Sequence, residues 1–310
     1  MTERPPSSLA ARDRVLWEGQ LTTHRRLRLR GLLQVLPGAA WLVIFLVLPS
    51  VVLVALAFAR NALYGQFEWA FSFENFTRML GLSSAEAGDY LRIVWRSIWV
   101  GAMTTVLSIA LAYPLAFFIA RRPQRQRYLL LALVMVPFAT NIVVRVYALM
   151  ILFSKDLPPA KIASALGLVD PNTSLYPSAF AVYVGMISCY LPFAILPIYT
   201  NVEKLDWSLV EAAQDLYGGT WRVFRHAILP QTRPGLSAAV ILTFIPSMGT
   251  FVITDLLSGA KYWLVGNLIQ QQFGPGKNLP FGAALSVALM ILTLVPLLLL
   301  RRRSKREVRP

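Results

Sequence analysis

The residues richest in chemical content lie between Asn201 and Gly235, in a polar segment flanked by apolar ones. Ser208-Leu209-Val210-Glu211 has the form of a capping box, in which the serine hydroxyl and the glutamate carboxylate satisfy each other's exposed backbone donors and start a helix. Glu211-Ala212-Ala213-Gln214-Asp215-Leu216 continue it, and Gly218-Gly219 ends it, because glycine enters the left-handed region at little cost. A second short helix is expected from Thr220 to Leu229, with Pro230 and Pro234 marking the approach to the next apolar stretch. Leu209, Ala213, Leu216, Val223, Phe224 and Ile228 are the expected internal contacts. Two small helices around a glycine elbow make a docking knob, whose chemistry is recognition of another protein. The bland alternative is that Glu211 only caps an inert amphipathic hairpin.

Bond-making chemistry finds little support. With one cysteine, Cys189, and two histidines, His24 and His226, no disulfide framework, zinc cluster or Cys/His nucleophile pair can be built. Cys189 reads as a small buried apolar residue. A phosphate-binding loop needs a first glycine six positions before its lysine and a hydroxyl residue after it. The nearest candidate, Phe273-Gly274-Pro275-Gly276-Lys277-Asn278, has Gln271 and Asn278 at those places. No catalytic residue, metal site or cofactor is expected in this chain.

Three residues are candidates for a transport path. Arg145 interrupts an apolar run, and a charge at membrane depth persists only where it faces protein or water; it either anchors a neighbouring segment through carbonyls or lines a path. Asp255 follows Pro246 to Thr254, a run of proline, glycine and hydroxyl residues suited to an unwound helix. Its readings are a helix cap at the external interface or a contact for an ammonium group. Tyr147, with Tyr183, Tyr190 and Trp263, offers an aromatic face to a cation, though aromatics at span ends also serve as interfacial anchors.

The elements that must position these residues follow from composition. Of 310 residues, 56% are hydrophobic and 15% charged, with 30 Lys and Arg against 15 Asp and Glu. A soluble domain is about a quarter charged, so a membrane protein is indicated and a disordered basic chain is excluded. Six segments approach the roughly 20 apolar residues that cross a bilayer. They run from about Gly38 to Phe58, Ile98 to Ile119, Leu129 to Phe153, Pro177 to Thr200, Leu236 to Ile253 and Phe281 to Leu300. The expected organisation is a basic tail over 1–37, a six-span domain over 38–300 containing the loop 201–235, and a basic tail over 301–310. Between the spans, 21 of the 30 basic residues fall in the two tails and in the second and fourth loops, among them Arg121, Arg122, Arg125, Arg127, Arg222, Arg225 and Arg233. Positive residues flanking spans are held in the cytoplasm, so both termini and the loop around Glu211 are predicted cytoplasmic. The basic blocks abut span ends, which fits anionic lipid surface rather than a nucleic-acid partner.

Glu211-Ala212-Ala213, the following glycine and Ile228-Leu229-Pro230 resemble the EAA loop of ABC importer permeases. The resemblance covers roughly Tyr128 to Leu300. Its nearest branch is the spermidine/putrescine-type permeases, through Val136-Pro137-Phe138, Arg145-Val146-Tyr147-Ala148, Tyr190-Leu191-Pro192-Phe193 and Ile245 to Ile253. One departure is that Tyr217 stands where the family glycine is expected, with Gly218 one place later. The resemblance implies an all-α inner-membrane permease of a bacterium, forming half of an import pathway for a small organic cation, most simply a polyamine. It also implies a second permease subunit, an external substrate-binding protein and two cytoplasmic ATPase subunits carrying ATP and magnesium. Glu211, Ala212, Ala213, Asp215, Gly218, Leu229 and Pro230 would form the ATPase-coupling surface. Other readings are an importer of an amino-acid derivative or opine, or a carrier or channel working without an ATPase; the latter lacks intramembrane acids other than Asp255.

Overall fold

A computed structural model of the protein describes residues 34–62, 66–82, 87–259 and 261–307. The expected N-terminal tail lies outside the described residues up to position 33, as do 308–310 of the C-terminal one. The chain divides into two compact units, 1–55 and 56–310. The helix α1 (Gln34–Ala57), of 24 residues, carries the first expected span and supplies the described part of the first unit.

In the second unit a two-residue hairpin pairs β1 (Arg60–Asn61) with β2 (Phe67–Glu68), antiparallel, ahead of the short α2 (Glu74–Met79). Three long helices form the framework: α3 (Ala87–Ala120), α7 (Ala179–Glu203) and α9 (Thr220–Gly249). They contact one another extensively, burying Ala112, Ala116, Ile119, Ala194, Ile195, Ile198 and Ala239 as one cluster. Both helices stay continuous through their prolines, the exposed Pro114 in α3 and, in α7, the buried Pro192 and half-buried Pro197. The crossing of α7 and α9 is close: a Cβ added at Gly235 would stand 2.5 Å from the Pro197 carbonyl oxygen. Small residues allow such approach between membrane helices, where dispersion contacts replace the hydrophobic effect.

Two expectations are corrected here. The run Leu129 to Phe153 is not one straight helix. It splits into α4 (Gln124–Met135), continued by a 3₁₀ turn (Val136–Ala139), and α5 (Ile142–Leu152), which meet at a 94° bend. Thr140 is extended, and Asn141 caps α5 by accepting the Val143 N–H at 2.8 Å. Pro137, Thr140 and Asn141 mark the bend, but the apolar residues on both sides make up the length of a single span. The second correction concerns the expected separate helix from Thr220 to Leu229, which is instead the first part of α9 and runs through Pro230 and Pro234. A π turn at Phe224–Ile228, closed by the Leu229 N–H on the Phe224 carbonyl, precedes Leu229-Pro230. Proline lacks an N–H and crowds the carbonyl four residues back; a widened turn relieves that conflict. The same device appears in α1, where the π turn Val43–Val47 precedes Leu48-Pro49.

After α9 the chain breaks at Thr250 and Phe251 and resumes as α10 (Val252–Ser258), α11 (Val265–Phe273) and α12 (Leu279–Glu307). By length and apolarity α1, α3, α7 and α9 suffice to cross a membrane, the bent pair α4–α5 qualifies jointly, and α12 adds a shorter apolar stretch, Leu279–Val295. Between α5 and α7 lies the short helix α6 (Pro158–Ala165).

Candidate functional site

The hairpin expected between residues 201 and 235 is present, with α8 (Trp207–Tyr217) as its first limb and the start of α9 as its second. Its N-cap is Asp206, not Ser208: the Asp206 carboxylate accepts the Ser208 N–H at 3.0 Å and the Ser208 hydroxyl at 2.7 Å. These bonds to the charged form hold the Asp206 carboxyl below the usual aspartate range. Ser208 is thereby inside the helix, and the expected reciprocal capping by Glu211 does not form. Gly218 closes α8 in the left-handed region, φ 63°, with its N–H on the Gln214 carbonyl at 2.9 Å. A Gln231 side chain staples the hairpin shut, accepting the Asp206 N–H at 3.0 Å and donating to the Ala227 carbonyl at 3.1 Å.

The inner face of the hairpin is a small core of Leu205, Val210, Ala213, Val223 and Ala227, with Ile228 against it. Ala213, Val223 and Ile228 are where the apolar pattern puts them. Leu209 and Leu216 are not: they are 54% and 79% exposed, and Trp221 on α9 is 71% exposed. Glu211, Ala212 and Asp215 share the open face of α8, Gly218 and Pro230 are exposed, and Leu229 is half-buried. The hairpin therefore has two apolar faces, one closed on itself and one uncovered among the described residues, with Glu211 and Asp215 one turn apart on the open side. Helical periodicity reports apolar positions but cannot say which stripe belongs to a partner.

Behind the hairpin, a cavity of about 600 Å³ separates it from the end of α3, with Tyr113, Phe117, Arg121, Trp207, Gln214 and Phe224 among its walls. Arg121 lies over the Trp207 ring at 5.5 Å. Arg127 pairs with Glu203 at 2.7 Å, tying the first turn of α4 to the end of α7.

The candidate path residues occupy two places. Arg145 on α5 reaches back across the bend and donates through Nη2 to the carbonyl of Pro137 and, at 3.2 Å, to that of Thr140. The Pro137 carbonyl also accepts the Thr140 N–H at 3.3 Å and the Thr140 hydroxyl at 2.7 Å, so the guanidinium joins a cluster of bonds that closes the bend. Tyr147, on the same helix, is half exposed. Asp255 lies in the first turn of α10, half-buried, and one carboxylate oxygen accepts from the Asn267 amide. α5 and α10 touch, through Val146, Ile253 and Leu257, but Arg145 and Asp255 form no ion pair with each other. Asn267 was invisible as a functional residue in the sequence, since its partners Phe251, Thr254 and Asp255 become neighbours only when the chain turns back after α10.

Residues 112–309 match the family described as "Binding-protein-dependent transport system inner membrane component". The chain belongs to this family. It is therefore a multi-pass inner-membrane permease subunit rather than an enzyme. Among curated relatives, the Escherichia coli K12 spermidine/putrescine transport system permease protein PotB is 35% identical over 265 residues, 86% of this chain and 94% of that one. The Haemophilus influenzae PotB is 33% identical over 266 residues, 86% and 91% of the two chains. The E. coli inner membrane ABC transporter permease protein YdcU is 30% identical over 68% of this permease and 71% of its own length. The fold is shared with a bacterial ABC transporter that imports the acidic polysaccharide alginate, at a TM-score of 0.66, 17% identity and coverage of 95% and 99%. A second structure of that system, in complex with its alginate-pentasaccharide-bound periplasmic protein, aligns at a TM-score of 0.68 with 16% identity over 92% and 96% of the chains. The helical break at α4–α5 and the α9–α10 interruption thus sit in a permease fold.

Proposed function

We propose that this permease forms half of an ATP-driven import pathway for a small organic cation of the polyamine class. The observation that carries the substrate class is the 35% identity across 86% of the chain to a spermidine/putrescine permease. Six spans with both termini cytoplasmic complete the topology: α1, α3, the bent pair α4–α5, α7, α9 and α12, with α10 and α11 dipping into the external half between the last two. The partners are a second permease subunit, an external substrate-binding protein and two cytoplasmic ATPase subunits that bind ATP and magnesium.

The coupling surface is the open face of the hairpin. Glu211, Ala212, Asp215, Leu209, Leu216 and Trp221 meet the ATPase, while Ala213, Gly218, Leu229 and Pro230 shape the hairpin behind them. Apolar side chains left uncovered beside two carboxylates suit a groove with an apolar floor and a basic rim. Closure of the ATPase dimer moves α8 and, because α9 is one uninterrupted helix from Thr220 to Gly249, carries that motion directly to the break at Thr250. Asp255 stands just past this break and belongs to the path wall. Arg145 holds the α4–α5 bend, and Tyr147 faces the path beside it. The test is Glu211→Lys in the assembled transporter. ATP-driven polyamine uptake and co-purification of the ATPase are both expected to fall; if neither changes, the coupling assignment is wrong.

A further inference from the structure

The tightest polar construction among the described residues is not on the hairpin but around Asn267, which is 3% exposed. A carboxamide has two N–H donors and an oxygen with two lone pairs, and here all four are engaged. Nδ2 donates to the Asp255 carboxylate and, at 3.3 Å, to the Phe251 carbonyl. Oδ1 accepts the Leu264 N–H at 2.9 Å and shares the single proton of the Thr254 hydroxyl, 2.8 Å away, with the Phe251 carbonyl. A buried amide satisfied in this way holds a single orientation, since any rotation strands polar groups in a low dielectric.

The knot is seated on the end of α9. A Cβ at Gly266 would lie 2.3 Å from the Gly249 carbonyl oxygen and 2.9 Å from that of Thr250. On its other side the Val265 N–H reaches the Ser97 hydroxyl on α3 at 2.8 Å. Asn267 therefore welds three things: the interruption of α9, the first turn of α10 and the entry to α11.

Asp255 is the product of this construction. It is the only acidic residue between Asp215 and Glu307. Only its Oδ1 is bonded; its Oδ2 takes no hydrogen bond and no ion pair from the described residues, yet it is not among the buried orphaned atoms. A half-buried carboxylate oriented by a neutral amide, with no cation paired to it among the described residues, is short of a positive partner. The Tyr190 hydroxyl, bonded to the Pro246 carbonyl at 3.3 Å, brings an aromatic ring to the same break.

We infer that Asp255 is an ammonium subsite of the translocation path and that Asn267 is its positioning residue, holding Oδ1 so that Oδ2 meets a protonated amine of the passing substrate. This rests on the polyamine reading above. The experiment uses the complete transporter in proteoliposomes with its binding protein, and compares uptake of spermidine with that of N-acetylspermidine, which carries one charge fewer. The binding protein is common to all variants, so a change in the spermidine to acetylspermidine ratio belongs to the permease. Asp255→Asn, which keeps the shape, is expected to lower spermidine uptake by about tenfold or more, the effect of losing one charge-assisted contact. It should lower the ratio too, which a general loss of transport would not do. Asp255→Glu should preserve the ratio. Asn267→Ala, or Asn267→Ser if the alanine variant does not assemble, should lower the ratio with Asp255 still present, which loss of packing alone would not do. An unchanged ratio in Asp255→Asn sinks the subsite, and an unchanged ratio in both Asn267 variants sinks the positioning role. Wild-type liposomes that take up no polyamine overturn the substrate reading, and the subsite with it.

Discussion

Gly218 sets the angle between the two limbs of the hairpin, and the structure isolates the reason. Its φ of 63° lies in the left-handed region, and a Cβ added there would meet nothing within 4 Å. Replacement therefore costs backbone conformation alone, about 1–2 kcal/mol for an ordinary L residue. That corresponds to roughly 5- to 30-fold in the population of the closed hairpin. Asparagine tolerates this conformation and should cost least; a β-branched residue should cost most. Gly219, with φ −114° and ψ 131°, is extended and serves as the internal control. Hydrogen exchange on the assembled transporter reads the effect at the Gly218 and Val223 amides, which bond Gln214 and Gly219. Exchange should accelerate in the order Gly218→Asn, Gly218→Ala, Gly218→Val, with Gly219→Ala near wild type, and ATP-driven uptake should fall in the same order. Equal acceleration in Gly219→Ala and Gly218→Ala, or no difference between Gly218→Asn and Gly218→Val, would refute the argument.

Other expectations follow from the same geometry. Asp206 caps α8 through its charged form, and its carboxyl is held low by the Ser208 bonds; that stabilisation is present above the unfolded aspartate range and is lost as pH falls through the lowered value. Exchange at the start of α8 should accelerate there in wild type and stay flat in Asp206→Asn, which keeps the acceptor without the charge. Leu216→Ser should leave the thermal stability of the isolated permease unchanged, because the side chain is 79% exposed, while weakening ATPase co-purification; a large stability loss would place Leu216 inside the fold. Gly235→Ala should force α7 and α9 apart and lower stability by about 1–3 kcal/mol, read as a fall in the unfolding midpoint of the detergent-solubilised protein. An unshifted midpoint would mean that the helices do not cross as closely as the Pro197 carbonyl implies.

The legible parts of this fold are those set by local chemistry. The glycine elbow at Gly218 stands where the residues place it, while the run Pro246 to Thr254 is interrupted only at Thr250 and Phe251 and is helical on both sides. Competition between neighbours defeats the same reasoning at the start of α8, where Asp206 and Ser208 are both good caps two positions apart and only the geometry selects the aspartate. Leu209 and Leu216 illustrate a deeper limit: a helix that serves a partner carries two apolar stripes, and nothing in the period marks which is internal. Pro230 argues for a helix boundary, yet the π turn at Phe224–Ile228 absorbs it and α9 continues. The bend at Thr140 carries local signals, Pro137, Thr140 and the capping Asn141, but they are brief within an apolar run long enough to be read as one span. Asn267 depends on contacts made after the chain reverses, so no spacing rule finds it.

The most direct test of the central claim is uptake by the purified permease reconstituted in liposomes with its partner permease, binding protein and ATPase. Labelled spermidine or putrescine should accumulate only when ATP, magnesium and the binding protein are all present, and Glu211→Lys should abolish accumulation while leaving the permease folded. Accumulation driven by an ion gradient without the ATPase would contradict the account.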